Sequence, residues 1–545
     1  MKTKWNKKII PAILIAAVFS ICYEILGPMA KEQDFVLDKG MLLPVFICFA
    51  VSAAVLLALF VFAPKLNYRV IDAPVNKIIN RIGQVKSFFI VWAIILIAWI
   101  PAYLITFPGV LSYDFISQSS SALTVINNNH HPVLHTWLIR VFMIFGDKVF
   151  SSYEVGLGFL SLLQMVLLSY ALTRLIFLMI KKHVPGVFCI ASLVCAALWF
   201  MNAVLASTMI KDVLHAAFLI LFCCHFTEIV CDVKEYVKKK SNYILLPVIS
   251  FFMFATRNNG LHIYVFSFLI FAIVKAKHIK KIKSYIGLMF AIFIPVVSFK
   301  VYSGPIFEAI GIEQGQVREA LSIPIQQLQR VAVGHWDELD ESQKNLMNYY
   351  IDNLEWRSYK PGREYSPFIA DPAKSCFYSD HYNADKIAFW KFYLKCGKQF
   401  SKEYVHAFLS NTLGYWYPGY YGFSYVMYDD YESDAFEYPF KRIGLLKSSF
   451  LDNSYRDLCS NEFWRKTPLL RLIFTQGYSL WIVLCAFVMA YKGKKSFEDD
   501  YPIMLPMVAQ LGIMFLSPMS SFRYAWPLYL MMPLIFVAMV KKEQR

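Results

Sequence analysis

Asp114 is the residue whose type and setting best suit acid–base chemistry. It ends the run Pro108-Gly109-Val-Leu-Ser-Tyr-Asp114, which directly follows a long apolar stretch. The Pro-Gly pair predicts a turn that holds Asp114 at the end of that stretch. A carboxylate in this place can take a proton from a hydroxyl nucleophile. The structural alternative, which the residues alone favour, is an exposed loop acid that caps a short helix.

Three cations stand in very short polar turns between apolar stretches. They are Lys211, Arg257 and Arg523, in the runs Ser207-Thr-Met-Ile-Lys211-Asp212, Arg257-Asn258-Asn259-Gly260 and Ser517-Pro-Met-Ser-Ser-Phe-Arg523-Tyr524. For any one of them alone, the simpler explanation is a long side chain that reaches the lipid headgroups. Three on one side of a membrane, together with Asp114, instead predict a site for a phosphate or diphosphate, which needs such donors.

Seven further residues lie near these runs or in an aromatic-rich segment, and we regard them as candidates for lining the same site: Gln118, His131, His135, Asn258, Tyr415, Trp416 and Tyr524. The two histidines are four residues apart and share a helix face. Such a pair can bind metal, but it lacks the glutamate of the zinc-protease motif, so an interfacial role is favoured. The tyrosines and the tryptophan suit a sugar ligand and a membrane interface equally well.

The elements that must position these residues are membrane helices. Of the 545 residues, 57% are hydrophobic and only 17% are charged, against ~25% in soluble domains. A span needs ~20 apolar residues, and such stretches recur along the chain. They predict about twelve transmembrane helices, at 9–27, 41–63, 87–107, 154–180, 184–207, 212–231, 242–256, 261–275, 285–302, 470–491, 502–517 and 525–540.

The net charge of +16 is unevenly distributed. Residues 303–469 hold 18 of the 54 Lys and Arg but 22 of the 38 Asp and Glu, so the basic excess lies among the spans and their short loops. This is the positive-inside bias of membrane proteins and predicts a lipid bilayer, not a nucleic acid, as partner. With the N-terminus inside, every second crossing returns to a basic loop. We therefore predict a multi-pass protein of the cell membrane with both termini cytoplasmic.

This topology divides the chain into three parts. Residues 1–302 form an N-terminal membrane bundle with an outer loop at 108–153. Residues 303–469 form an extracytoplasmic domain, which we expect to be mainly helical because it contains periodic stretches such as 316–333 and 384–413. Residues 470–545 return as C-terminal membrane helices. The predicted fold class is therefore an all-α polytopic membrane protein.

The runs described above resemble those of an uncharacterised bacterial family of multi-pass membrane proteins. The matching runs are Pro108-Gly109-Val-Leu-Ser-Tyr-Asp114 with Gln118, His131-Pro132-Val-Leu-His135-Thr, Ser207-Thr-Met-Ile-Lys211-Asp212, Arg257-Asn258-Asn259-Gly260, Ser322-Ile-Pro324-Ile-Gln326-Gln327, Tyr415-Trp416-Tyr417-Pro418, and Arg523-Tyr524 with Pro527. The architecture in turn resembles the GT-C class of polyprenyl-phosphate-dependent glycosyltransferases, which have many spans, an acidic residue in the first outer loop and an outer domain.

The resemblance implies a GT-C-like helix bundle and a reaction. A sugar arrives on a polyprenyl phosphate or diphosphate, and Asp114 takes the proton of an acceptor hydroxyl that attacks the anomeric carbon. Lys211, Arg257 and Arg523 would stabilise the departing phosphate. Many GT-C enzymes carry two neighbouring acids that bind metal, whereas Asp114 stands alone. A divalent metal is therefore not supported, and the cofactor, like the acceptor, stays undetermined.

Two other functions remain open. About twelve spans also suit a transporter, such as a flippase for lipid-linked sugars. Transporters place ionisable groups near the middle of the membrane, whereas here the centres of the spans are nearly free of charge. A sensor or scaffold without catalysis is a third reading. A sensor is expected to have a cytoplasmic signalling domain, and no predicted inside loop is long enough for one.

Overall fold

The structure is a computed structural model of the chain, and it describes residues 2–37, 39–62, 81–275, 286–352, 365–420, 445–446, 449–459, 467 and 475–540. Three of the predicted spans, at 41–63, 285–302 and 470–491, each have one end outside these ranges. Of the predicted outer domain, residues 353–364, 421–444, 447–448, 460–466 and 468–469 also lie outside them.

All regular elements among the described residues are helices, and extended pairing among these residues is limited to isolated bridges. The α-helices in chain order are α1 (Lys2–Ile21), α2 (Gly27–Glu32), α3 (Leu42–Phe62), α4 (Gln84–Thr106), α5 (Tyr113–Leu123), α6 (Val133–Phe150), α7 (Tyr153–Lys181), α8 (Gly186–Leu198), α9 (Phe200–Ala206), α10 (Lys211–Lys238), α11 (Asn242–Thr256), α12 (Asn259–Lys275), α13 (Ile286–Val301), α14 (Phe307–Ala309), α15 (Ser322–His335), α16 (Glu341–Tyr350), α17 (Asp371–Ser375), α18 (Ser379–Ala384), α19 (Lys386–Gln399), α20 (Ser401–Asn411), α21 (Phe450–Cys459), α22 (Ser479–Ala490), α23 (Ser496–Asp499), α24 (Leu505–Phe515), α25 (Phe522–Leu530) and α26 (Pro533–Met539). Short 3₁₀ segments lie at Lys39–Met41, Val317–Leu321, Trp336–Glu338, Leu413–Tyr415, Gln476–Tyr478 and Tyr501–Met504, and π-helical turns at Cys22–Leu26 and Tyr302–Ile306.

Among the described residues, seven helical segments are long and apolar enough to cross a membrane: Lys8–Glu32, Leu42–Phe60, Gln84–Thr106, Tyr153–Lys181, Lys211–Lys238, Ile286–Ala309 and Phe522–Met539. The pair α8 and α9 passes the same test together but is bent by 53°. Shorter apolar helices lie at the four remaining predicted spans: Asn242–Thr256, Asn259–Lys275, Gln476–Ala490 and Tyr501–Phe515. The prediction of an all-helical chain with apolar helices suited to a bilayer is confirmed, whereas the number twelve, the GT-C-like bundle and the orientation stay predictions.

Helix α10 is the centre of the apolar core. Its most apolar part is 83% buried, while the corresponding part of α3 is 0% buried. α10 packs against α7 and α11 and also contacts α25. Helices at the periphery of the bundle have exposed apolar side chains, such as Phe46 and Val51 on α3. Such side chains are what a membrane helix presents to lipid. Because α10 begins at Lys211, the most buried of the seven candidate spans also carries one of the predicted phosphate ligands.

The described part of residues 303–469 has an apolar core of its own. Side chains of α15, α16, α19 and α20 form it, including Leu328, Met347 and Phe389, and its helix α16 begins at a capping box between Asp340 and Gln343. Its helices therefore bury their apolar faces against one another. The predicted boundaries of this domain, after residue 302 and after residue 469, stay predictions.

This region, which we call the outer part after its predicted location, is joined to the loop between α24 and α25 by hydrogen bonds. The amide of Ala370 donates to the carbonyl of Pro518 at 2.7 Å, and Nδ2 of Asn411 donates to the carbonyl of Ser517 at 2.9 Å. The amide of Ser521 donates to the Tyr415 hydroxyl at 3.1 Å. The loop that leads into Arg523 is thereby fixed to the outer part as well as to the apolar helices α24 and α25.

Candidate functional site

Asp114 is positioned by a close approach between two backbone segments. Gly109, with φ +146°, begins an extended segment whose Val110 pairs with Thr208. A Cβ on Gly109 would lie 2.6 Å from the Ser207 carbonyl oxygen, so only glycine permits this approach. The amide of Val110 donates to the Ser207 carbonyl at 3.1 Å. The two predicted motifs are therefore packed side by side immediately before α5 and α10.

A local cap then begins α5. Ser112 accepts a hydrogen bond from the amide of Phe115, and it is this serine that occupies the N-cap position. Asp114 lies in the first turn of α5, and its side chain is 16% exposed. The expectation of an exposed loop acid that caps a helix is therefore wrong. A buried carboxylate needs partners, and Asp114 has two.

Asp114 is paired with two of the three predicted cations. Its Oδ2 lies 3.2 Å from Nζ of Lys211 and 2.8 Å from an Nη of Arg523. Lys211 starts α10 and Arg523 is the second residue of α25, so each cation is held at a helix end. Asp114 and Arg523 are 409 residues apart in sequence. Three distant motifs therefore meet at this point.

Asp212 is a member of the site that the sequence analysis did not select. Its side chain is fully buried, it pairs with Arg257, and its Oδ2 lies 3.8 Å from Nε of Arg523. Arg257 occupies the turn between α11 and α12 and is thus brought to the start of α10. We call Asp114, Lys211, Asp212, Arg257 and Arg523 the Asp114 cluster. Position 212 lay inside a selected run, but its sequence neighbours give no sign of these partners.

Tyr524 lies between the two arginines. The guanidinium carbons of Arg257 and Arg523 are each 4.9 Å from the centre of its ring. Arg523 also donates to the Tyr524 hydroxyl at 2.9 Å. Cation–π contacts of this kind stabilise arginine where water is scarce. Tyr524 therefore keeps two like charges in one place.

The electrostatics of the cluster favour an ionised Asp114. Burial alone would raise the pKa of Asp114, but the adjacent Lys211 and Arg523 outweigh it and hold that pKa well below its usual range. Burial, with the Lys211 charge, lowers the pKa of His131 to about 3. His131 is therefore neutral, and its Nδ1 accepts a hydrogen bond from Lys211 at 3.1 Å. Three cations against two carboxylates leave the cluster with one net positive charge.

His135 belongs to a buried polar network behind Asp114. Gln164 donates to the Thr208 carbonyl at 3.2 Å, which turns its Oε1 towards Nε2 of His135 at 3.3 Å. Its Nδ1 lies 3.2 Å from Oε1 of Gln118, so the neutral ring donates to one of these two glutamine oxygens. Burial lowers the pKa of His135 to about 4, in keeping with a neutral ring. This network ties α5, α6 and α7 to the segment before Lys211.

The three remaining candidates are placed differently. Tyr415 is fully buried, and its hydroxyl donates to the Met519 carbonyl at 3.0 Å in the loop before Arg523. Trp416 packs with Ala30 and Leu413 in a separate apolar cluster. Asn258 is exposed, next to Arg257. The fold therefore gives Tyr415 a supporting position and brings neither Trp416 nor the Asn258 side chain into the Asp114 cluster.

No group of three or more His, Cys, Asp or Glu side chains able to hold a metal occurs in the part of the chain that the structure describes. His131 and His135 each have a different partner, Lys211 for the first and glutamines for the second. Both carboxylates of the cluster are occupied by cations. The donor set suits an anion better than a metal cation.

Helices of this length and hydropathy define the class as an all-helical protein with several candidate membrane spans. The chain belongs to DUF6020, a family of unknown function whose model matches residues 121–545. The matched region contains Lys211, Asp212, Arg257 and Arg523, while Asp114 precedes it. No curated protein and no solved structure matches the chain.

Proposed function

We propose that this protein is a membrane glycosyltransferase that moves a sugar from a polyprenyl phosphate or diphosphate to an acceptor outside the cytoplasm. The observation that carries the proposal is the pairing of Asp114 with Lys211 and Arg523, next to Arg257 and Asp212. A carboxylate and several donors to phosphate are the groups that such a transfer needs.

The charge of the cluster supports an anionic donor. The cluster has three cations and two carboxylates, which leaves one positive charge for an anion. Both arginines have planar guanidinium groups that suit bidentate phosphate binding. Their side chains are 17% and 9% exposed, so screening by water is reduced. The cluster lies at the ends of apolar helices, where the phosphate of a lipid whose chain is in the bilayer would be found.

In the reaction, the acceptor oxygen attacks the anomeric carbon and its proton passes to Asp114. The bond between that carbon and the phosphate oxygen breaks, and the lipid phosphate leaves with the electron pair. Without donor, Asp114 is a weak base because Lys211 and Arg523 stabilise its charged form. A donor phosphate bound to these cations would compete for them and so raise the basicity of Asp114. Base strength would thus depend on donor binding, which limits proton transfer in the empty protein.

The test is sugar transfer and donor binding by the purified chain in lipid nanodiscs, with a panel of polyprenyl-linked sugars. Asp114→Asn should lower transfer by ~10²–10⁴. It should keep or tighten donor binding, since the cluster gains positive charge. Asp147→Asn is the matched control, because Asp147 is an exposed acid on the neighbouring α6. Near wild-type transfer by a folded Asp114→Asn protein would contradict the proposal.

The cations should affect the donor itself. Arg257→Ala and Arg523→Ala should weaken donor binding, and lysine at either position should restore it only in part, because lysine lacks the planar fork. Arg140→Ala on the exposed face of α6 is the control. Unchanged donor affinity in both cluster variants would remove the phosphate site from the proposal.

A transporter of lipid-linked sugars is the second candidate, and the bent pair α8 and α9 favours it. Discontinuous helices line the substrate sites of many transporters, and α9 leads directly into the segment 207–210 beside the cluster. A fluorescent lipid-linked sugar in proteoliposomes separates the two functions. Movement of the lipid between leaflets without sugar transfer would favour the transporter.

A further inference from the structure

A second charged feature lies at the other end of the helices that carry the Asp114 cluster. A groove of about 350 Å³ opens between three helices. It is lined by the start of α4, by the last turns of α7 and by one residue of α10. Glu228 lines it, and Glu228 follows Lys211 by seventeen residues on α10, which is ~26 Å along a helix. The groove and the cluster therefore lie near opposite ends of the same bundle.

The groove combines aromatic walls with a charged floor. The ring of Phe88 packs on those of Tyr170 and Phe177, at centroid distances of 5.4 and 5.2 Å. Phe89 and Tyr170 are 54% and 37% exposed on helices that are candidate spans. Exposed rings on such helices face lipid. The groove is thus open towards the bilayer.

Arg174 supplies a cation with no protein partner at hydrogen-bond or ion-pair distance among the described residues. It is partly buried and lies seven residues before the end of α7, within a candidate span. Lys181, at that end, pairs with Glu228. Two cations and one carboxylate leave a net positive charge in the groove. A charge inside a span is costly unless a partner compensates it.

We propose that this groove binds the headgroup of an anionic phospholipid, with the phosphate on Arg174 and Lys181 and an acyl chain against Phe89 and Tyr170. Basic pockets between membrane helices bind anionic headgroups in this way. The lipid-facing aromatic wall favours a phospholipid over free phosphate, since free phosphate would leave that wall unused. The site is independent of the glycosyltransferase proposal.

The test measures lipid binding to the full chain in detergent micelles, by native mass spectrometry and by the shift in melting temperature. Phosphatidylglycerol should bind and stabilise the protein, whereas phosphatidylcholine and inorganic phosphate at equal concentration should do so much less. Arg174→Gln should weaken phosphatidylglycerol binding about tenfold, the loss expected for one charge-assisted hydrogen bond. Arg140→Gln, remote from the groove, should leave it unchanged.

Glu228→Gln gives a test of opposite sign. It removes the competing carboxylate and frees Lys181, so phosphatidylglycerol should bind more tightly than to the wild type. This variant also decides the matter if Arg174→Gln does not fold. Equal binding of phosphatidylglycerol and phosphatidylcholine, or weaker phosphatidylglycerol binding by Glu228→Gln, would overturn the proposal. Binding of inorganic phosphate as strong as that of the lipid would overturn the assignment to a phospholipid.

Discussion

The side chain of Arg523 contacts both carboxylates of the Asp114 cluster. It donates to Asp114 at 2.8 Å and lies 3.8 Å from Asp212, whose other partner is Arg257. The carboxylates differ in exposure, since Asp212 is fully buried and Asp114 is 16% exposed. Asp212 is therefore the better placed to hold the arginines, and Asp114 the better placed to meet a ligand.

Replacement of Asp212 should be costly for the fold. Asp212→Asn leaves Arg257 without its carboxylate partner and leaves Arg523 with Asp114 alone, and the expected loss is about 3–5 kcal/mol of unfolding free energy. Adding Arg257→Gln should recover part of it, because the two residues interact directly. Thermal unfolding of the single and double variants, with Asp147→Asn as control, measures this coupling. Strictly additive effects would mean that the pair contributes nothing to stability.

The histidines beside the cluster predict a pH dependence of stability. His131 and His135 have folded pKa values of about 3 and about 4, against about 6.5 in an unfolded chain. Between these values the unfolded state binds more protons, so stability rises with pH and falls as the pH drops below about 6.5. The lowered pKa of Asp114 acts only below about pH 4, where its stabilisation is lost.

Melting temperatures between pH 7.5 and 5 test this prediction. His131→Gln should flatten the dependence, since glutamine keeps an acceptor for Lys211 but does not titrate. The same slope in wild type and variant would exclude His131 as its source.

At the scale of elements, the site depends on how loops join helices. The segment after α4 and the segment before α10 pair through Val110 and Thr208, and both lead straight into a cluster residue. The start of α5 then fixes Asp114, and the start of α10 fixes Lys211 and Asp212. Short, tightly paired connections allow little independent movement of these side chains, which is what a preorganised charge site needs.

Gly109→Ala should disturb the pairing of these two segments. The new Cβ would meet the Ser207 carbonyl at 2.6 Å, and the positive φ adds strain, for a total of about 1–3 kcal/mol or more. Gly311→Ala is the matched control, because Gly311 also has a positive φ but nothing lies within 4 Å of the added carbon. Melting temperature and donor binding should fall more for Gly109→Ala. Equal losses in the two variants would assign the effect to backbone strain alone.

The sequence predicted the helices better than it predicted the site. Apolar runs long enough to cross a bilayer indicate helices directly, and each of the twelve predicted spans overlaps a described helix or bent pair, of which seven are long enough to cross a membrane. The bend at Trp199, between α8 and α9, has no proline or glycine beside it, so the local sequence did not predict it. Asp212 was missed because its partners, Arg257 and Arg523, are distant in sequence. Trp416 was selected for its type, which does not determine the direction in which it packs.

At the scale of the whole molecule, the chain places its two charged features near opposite ends of one apolar bundle. The Asp114 cluster adjoins the outer part, and the groove at Arg174 is at the far end of α7 and α10. The basic runs of the sequence follow the same division, which the positive-inside rule explains if the groove end is cytoplasmic.

Reporter fusions test that orientation. A fusion at Lys240, just after α10, should report the cytoplasm, and a fusion at Asp340, at the start of α16, should report the exterior. The physical reason is the distribution of Lys and Arg among the loops. A cytoplasmic signal from both fusions would place the outer part on the wrong side and would remove access of the Asp114 cluster to an extracytoplasmic acceptor.

The hydrogen bonds between the outer part and the loop 517–521 have a thermodynamic consequence. Ala370, Asn411 and Tyr415 hold the backbone that leads into Arg523. Under the proposed function, an acceptor that shifts the outer part would also shift Arg523 in the proposed donor site. If acceptor binding changes donor affinity by some factor, linkage requires that donor binding change acceptor affinity by the same factor. Cooperative binding of the two proposed substrates would then arise from a few hydrogen bonds between the outer part and this loop.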